Sequence, residues 1–221
     1  MKGGIHYKYM NVKFIAKSNY LLRKVLNSNN NLDILQDLIE SILNIKIEKI
    51  ILNPYLKQRK KELPSEENFG IADVRILTKE NEEMNVGLQF IDGKYIETKL
   101  LLYYAQIHTN QLYYKYNKKI AKTTTINFLN QNYYETYSYH KKIHIKTNKT
   151  ENEDEEEIIL NVIELEKFQP IFLHNLNKEE QWMTYFKGEN PEEVERVKRM
   201  NYKINKLDFL IEDYWENEKM Q

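Results

Sequence analysis

The sequence predicts a mixed α/β fold: a central β-sheet flanked by helices, with a helical extension at the C-terminal end. Three observations predict it. Ile71 to Leu77 and Met84 to Phe90 read as two strands around a polar turn, Lys79-Glu-Asn-Glu-Glu83. Met84, Val86, Leu88 and Phe90 fall at alternate positions, the period of a half-buried strand. Segments with helical spacing stand before and after this hairpin, and further strand-like runs follow, so the element order is helix, strand, hairpin, helix, strand, strand.

In chain order, Ser18 caps a short helix through Leu26. Asn31 caps a second, with Leu32, Leu35, Leu38, Ile39, Ile42 and Leu43 at helical spacing. Ile45 to Leu52 reads as a strand ended by Asn53-Pro54, and the charged run Lys57 to Asn68 as a loop. After the hairpin, Asp92-Gly93 breaks the chain and Lys94 to Asn110 is expected to be helical. Lys122 to Leu129, Tyr133 to Ile145 and Ile158 to Leu165 are expected strands. The acidic stretch within 146–157 reads as a solvated loop. From Asn177 the chain reads as helix, with Glu179 and Glu180 in a first turn and Pro191 at another start. A main domain over 1–175 and a helical extension over 176–221 are the expected division.

At 221 residues with 41% hydrophobic residues, the chain is long enough for one ordinary core. No window approaches 18 uninterrupted apolar residues, and Met1-Lys-Gly-Gly opens no apolar leader, so neither a membrane span nor a signal peptide is expected. Cysteine is absent, which excludes disulfides and thiol chemistry and suits a reducing cytoplasm. No glycine-rich phosphate loop and no G-x-S-x-G elbow occurs, so nucleotide hydrolysis and serine hydrolysis lack support.

The net charge of zero hides an uneven distribution. Residues 94–150 carry 10 basic and 2 acidic side chains, while 151–221 carry 9 basic and 19 acidic. A basic segment beside the hairpin suits a phosphate backbone; it also suits a solvated face paired with the acidic tail. Lys99, Lys118, Lys119 and Lys122 are the candidate DNA contacts. Nearby tyrosines at 103, 104, 113, 114, 116, 133, 134, 137 and 139 suit base stacking or, more commonly, core packing. His140 and His144 read as surface residues rather than metal ligands.

Candidate chemistry lies in the hairpin. An antiparallel return brings position 87 near Asp73. Two carboxylates there would hold Mg²⁺, since a hard cation takes oxygen ligands. Position 87 is glycine, for which the sequence offers no packing reason.

Four segments carry a resemblance. Gly70-Ile-Ala-Asp73-Val, Asn85-Val-Gly-Leu-Gln89, Leu102-Tyr-Tyr104 with Gln111-Leu112, and Ile163-Glu-Leu-Glu-Lys-Phe168 occur in order and at fitting spacing. Together they resemble the PD-(D/E)XK nuclease superfamily, in its recombination-promoting nuclease (Rpn) and transposase branch, over roughly residues 10–190. The resemblance implies a restriction-endonuclease-like sheet and a Mg²⁺-dependent endonuclease acting on double-stranded DNA. It further implies a bacterial, cytoplasmic, mobile-element or recombination setting, and a homodimer is a possible assembly. It makes Asp73 a metal ligand and Gln89 the stand-in for the superfamily lysine.

The catalytic Glu of that pattern falls on Gly87, and its Arg before the Tyr-Tyr pair falls on Leu100, with Lys99 adjacent. The chain also stops at Gln221, short of the further helix the resemblance implies. Cleavage is therefore expected to be impaired, the alternative being a non-catalytic relic that binds DNA or protein. Glu97 and Glu40 are the carboxylates that a migrated ligand would use; otherwise they neutralise lysines and occupy a polar helix face. Gly87→Glu is expected to restore some Mg²⁺-dependent cleavage, and Asp73→Ala to remove it. Asp73 is expected to face the same side as position 87, near the sheet's open edge.

Overall fold

The computed structural model describes residues 19–53, 70–113, 120–146, 157–170 and 175–219. Helices α1 (Asn19–Leu26) and α2 (Leu32–Leu43) lead into strand β1 (Ile47–Leu52). The hairpin β2 (Ala72–Thr78) and β3 (Glu83–Ile91) is followed by helix α3 (Ile96–Asn110) and strand β4 (Lys122–Leu129). Strands β5 (His140–Lys146) and β6 (Glu157–Glu164) precede α4 (Lys178–Lys187), α5 (Pro191–Met200) and α6 (Tyr202–Lys219).

The sheet order is β1-β2-β3-β4-β6-β5. The pairs β1–β2, β2–β3 and β5–β6 are antiparallel; β3–β4 and β4–β6 are parallel. A parallel neighbour needs a crossover, and α3 supplies the one between β3 and β4. This mixed sheet flanked by helices is the predicted class.

Alternation sorts the hairpin's side chains between two layers. Val74, Ile76, Met84, Val86, Leu88 and Phe90 enter one large core with α1, α2 and the C-terminal helices. Phe90, Phe128 and Phe186 meet there, with ring centroids 4.8–5.4 Å apart. A smaller cluster forms under α3, joining Leu100 and Tyr104 to Leu129, Leu160 and Val162.

The C-terminal helices are tied in by polar bonds as well. Buried Asp37 on α2 accepts from Trp182 Nε1 at 3.0 Å and Asn201 Nδ2 at 3.0 Å, and pairs with Lys178. Asn177 caps α4 in a capping box with Glu180, and Pro191 opens α5. No helix among the described residues is long and apolar enough to cross a membrane.

Three local expectations change. Asn31 stands at the start of α2 without capping it; its amide donates to the Val25 carbonyl instead. Helix α3 starts at Ile96 rather than Lys94, behind Tyr95 in the left-handed region at φ 61°. The strand expected from Tyr133 begins only at His140. Buried Glu164 explains the last difference: its carboxylate accepts the backbone N–H groups of Tyr133 and Tyr134, which a ladder would otherwise use. Ser18 and the loop 57–68 lie outside the described residues, as does most of the acidic loop.

Candidate active site

The β2–β3 register places Asp73 directly opposite Gly87. On the next strand Gly87 pairs with Thr125 and Gln89 with Asn127. Paired residues share a face, and side chains alternate along a strand, so Asp73, Gly87 and Gln89 all face α3. The predicted juxtaposition of residues 73, 87 and 89 is therefore present in the backbone.

Asp73 lies at 3% exposure, under the helix layer rather than at an open edge. Asn53 Nδ2 donates to its Oδ2 at 3.3 Å. Asn110, at the end of α3, lies close enough to favour the charged carboxylate, yet Oδ1 has no hydrogen bond of normal geometry. Burial outweighs both amides and pushes the carboxyl up to about 7. A carboxyl held this far from its usual range marks a candidate site on physical grounds.

Helix α3 supplies a packing reason for Gly87. A Cβ at position 87 would collide with Ile107 Cδ1 and stand 3.0 Å from the Tyr103 ring and hydroxyl. Tyr103 likewise fills the space over Gly70. Its hydroxyl lies 2.9 Å from the Leu88 carbonyl and 3.2 Å from that of Ala72, and donates to them across the two strands. Burial and the nearby Asp73 carboxyl raise the hydroxyl's pKa well above normal. Glycine in a strand interior commonly marks such a close approach. Leu102-Tyr-Tyr104 pointed to this helix, but its pattern could not show that Tyr103 bridges the hairpin.

Gln89 Nε2 donates to Asn127 Oδ1 at 2.7 Å. Asn127 in turn donates to Thr125 Oγ1 and the Asn161 carbonyl. Arg75 also shares the Asp73 face and pairs with Glu83 across the hairpin. Sequence reasoning missed Asn53, Asn110 and Asn127, whose roles depend on contacts from distant elements.

The two substitute carboxylates stand elsewhere. Glu97 occupies the first turn of α3, about 20 Å along the helix from Asn110. It accepts from the Tyr133 hydroxyl. Glu40 accepts from Ile47 N at 2.8 Å and pairs with Lys46 at 3.5 Å, beside the end of β2 remote from Asp73. Among the described residues, no three acidic or histidine side chains stand together as a metal site. A single carboxylate that is itself buried, opposite a glycine whose side-chain space is filled, leaves little room for a Mg²⁺ ion and the waters it keeps.

Exposed Lys99 donates to the Asp92 carbonyl at 2.6 Å, while exposed Lys122 lies toward the other end of α3. Lys118 and Lys119 lie outside the described residues. Tyr103 and Tyr104 are core residues, whereas Tyr137 is fully exposed. The side chains of Tyr113, Tyr114 and Tyr116 are outside the description. His140 bonds Glu179 at 2.8 Å, joining β5 to α4; His144 is exposed on the same strand. Glu164 and Lys167 of the E-L-x-K-F segment form a 2.7 Å ion pair that closes the 133–139 loop.

A mixed six-stranded sheet of this order, flanked by helices, is consistent with a nuclease-type α/β fold. The model of the PD-(D/E)XK nuclease family transposases matches residues 16–221, and the chain belongs to that family. No curated protein and no solved structure gave a significant match.

Proposed function

We propose that this chain uses the nuclease scaffold to engage double-stranded DNA without efficient hydrolysis. The observation that carries this reading is the packing of Ile107 and Tyr103 against position 87. Superfamily chemistry uses a divalent metal held by two acidic positions. Here one is glycine, and the volume its side chain would need is filled. Asp73 retains the ligand position but is buried with two amides. Gln89, whose nitrogen is committed to Asn127, supplies no charge to activate water. Losing one electrostatic contributor commonly costs about 10²–10³ in rate, and losing a metal ligand costs more.

What supports DNA as the partner is family membership and the basic balance of residues 94–150. The absence of cysteine supports a reducing, cytoplasmic setting. Incubating plasmid with the purified chain in Mg²⁺ and in Mn²⁺ tests the reading, with binding to a short duplex followed in parallel. Binding without nicking supports it. Efficient nicking that Asp73→Ala abolishes would overturn it.

A further inference from the structure

Three parallel strands end in one row, because Ile91, Leu129 and Glu164 are register partners across β3, β4 and β6. The loops that follow share that end of the sheet, the end where open α/β sheets bind their ligands. Loops 92–95 and 130–139 are tied together there. Gly93 N donates to Gln131 Oε1 at 3.1 Å, Gln131 Nε2 donates to the Gly93 carbonyl at 3.3 Å, and the Tyr133 hydroxyl donates to Glu97. Tyr95 lies in the chain between those ties. Glu164 and Lys167 pin the backbone of the second loop at Tyr133 and Tyr134. This braced surface displays its rings rather than burying them: Tyr95 is 76% exposed, Tyr133 37%, and Tyr137 fully. Tyr95 also holds φ at 61°, a left-handed conformation that bulky side chains disfavour and glycine adopts freely. With three-quarters of its surface in water, that ring returns little packing to the fold. Strain kept at an exposed ring points to a use outside the fold.

We infer that this loop surface stacks unpaired nucleobases, so that the chain grips single-stranded DNA more tightly than duplex. The inference rests on the reading of the chain as a DNA-engaging scaffold and adds the form of DNA it holds best. Within a duplex each base turns its face to its neighbours in the stack, whereas an unpaired base offers that face to a tyrosine. Stacking tolerates any sequence, because every base has a π-face. Over 92–99 and 130–142, four lysines stand against three carboxylates, so charge alone gives this surface little hold on phosphate. The rings therefore decide the preference, and the lysines assist. Lys94 adjoins Tyr95 in the chain, and Lys141 Nζ lies 4.3 Å from the centroid of the Tyr134 ring, beside Tyr133.

The test is fluorescence anisotropy of the full chain with a labelled oligothymidine and with a duplex of the same length, at one salt concentration. The single strand should bind more tightly. Tyr95→Ala and Tyr137→Ala should each weaken single-strand binding by about five- to a hundredfold and leave duplex binding unchanged. Tyr95→Phe and Tyr137→Phe should bind as the wild type does, because stacking uses the ring and not the hydroxyl. Tyr95→Gly suits the left-handed backbone, so it should melt close to the wild type while losing single-strand affinity. Duplex binding with no preference for the single strand would overturn the inference and leave the scaffold reading standing. Single-strand binding without duplex binding would support the inference and remove duplex DNA as the partner. No binding to either would overturn both. Single-strand binding that survives loss of both rings would also overturn the inference and leave the tyrosines to a protein partner. So would a Tyr95→Gly that melts far below the wild type, by showing that the ring serves the fold.

Discussion

Ile107 occupies the space that a side chain at Gly87 would need. Gly87 lies on β3 and Ile107 on α3, the crossover helix that follows it, and a single added carbon at 87 would meet Ile107 Cδ1. The glycine opposite Asp73 is therefore both a missing ligand and a packing solution. A helix that has closed on the sheet resists the simple return of the carboxylate.

Gly87→Glu alone should destabilise the fold by about 1–3 kcal/mol through overpacking, with a further cost for a carboxylate buried beside Asp73. It should bind Mn²⁺ no better than the wild type. Gly87→Glu with Ile107→Ala should recover stability relative to the single variant and gain measurable Mn²⁺ affinity. Urea unfolding and calorimetric titration check both. Metal binding by Gly87→Glu alone, at unchanged stability, would show that α3 yields easily.

Asp73 sets a pH dependence. Its carboxyl is raised from 3.8 to about 7 in the folded protein, so the native state holds a proton that the unfolded chain releases. The stability linked to that proton is fully present below pH 3.8 and is lost as pH rises through about 7. The interval corresponds to about 4 kcal/mol. Asp73→Asn cannot ionise and should lose none of it. The melting temperature of Asp73→Asn relative to wild type should therefore climb between pH 4 and pH 7 and then level. A flat difference would show that the carboxyl is ionised throughout.

The hairpin was legible because alternation is a local property: Met84, Val86, Leu88 and Phe90 define a face, and the turn length then sets Asp73 opposite 87. Asn177 and Pro191 were legible for the same reason, since caps act within one turn. The Tyr133 to Tyr139 stretch was misread because tyrosine favours strands, while Glu164, some thirty residues later, takes up the backbone donors. The packing over Gly87 was equally hidden. It depends on the approach of α3 to the sheet, which no pattern in Leu100 to Ile107 encodes.

Asp37 should prove the main polar tie between the amino-terminal helices and the C-terminal three. Asp37→Ala leaves the Trp182 indole N–H and the Asn201 amide buried without their acceptor. Each orphaned group costs about 1–3 kcal/mol, whereas the pair with exposed Lys178 adds little. A loss of roughly 2–5 kcal/mol in urea unfolding is expected, in one transition, because α4 and α6 share the sheet's core. Two separated transitions would show that the C-terminal helices fold apart from the sheet.

Binding to DNA should be weak, independent of sequence and steeply salt-dependent. Each phosphate contact releases counterions, so the logarithm of affinity falls with the logarithm of salt by about 0.9 per contact. Lys122 is exposed beside the end of α3 and Lys94 beyond its start, with Lys118 and Lys119 following in the same basic segment. The triple variant Lys118→Gln, Lys119→Gln, Lys122→Gln should bind a short duplex more weakly at low salt. Its salt slope should be shallower by about two to three if all three lysines touch phosphate. Lys99→Gln is the contrasting case: its ammonium is already bonded to the Asp92 carbonyl, so a smaller change in slope is expected. Fluorescence anisotropy across a salt series separates these outcomes. An unchanged slope in the triple variant would remove the basic segment from the interface. No binding by the wild type at low salt would favour a protein-interaction role over DNA engagement.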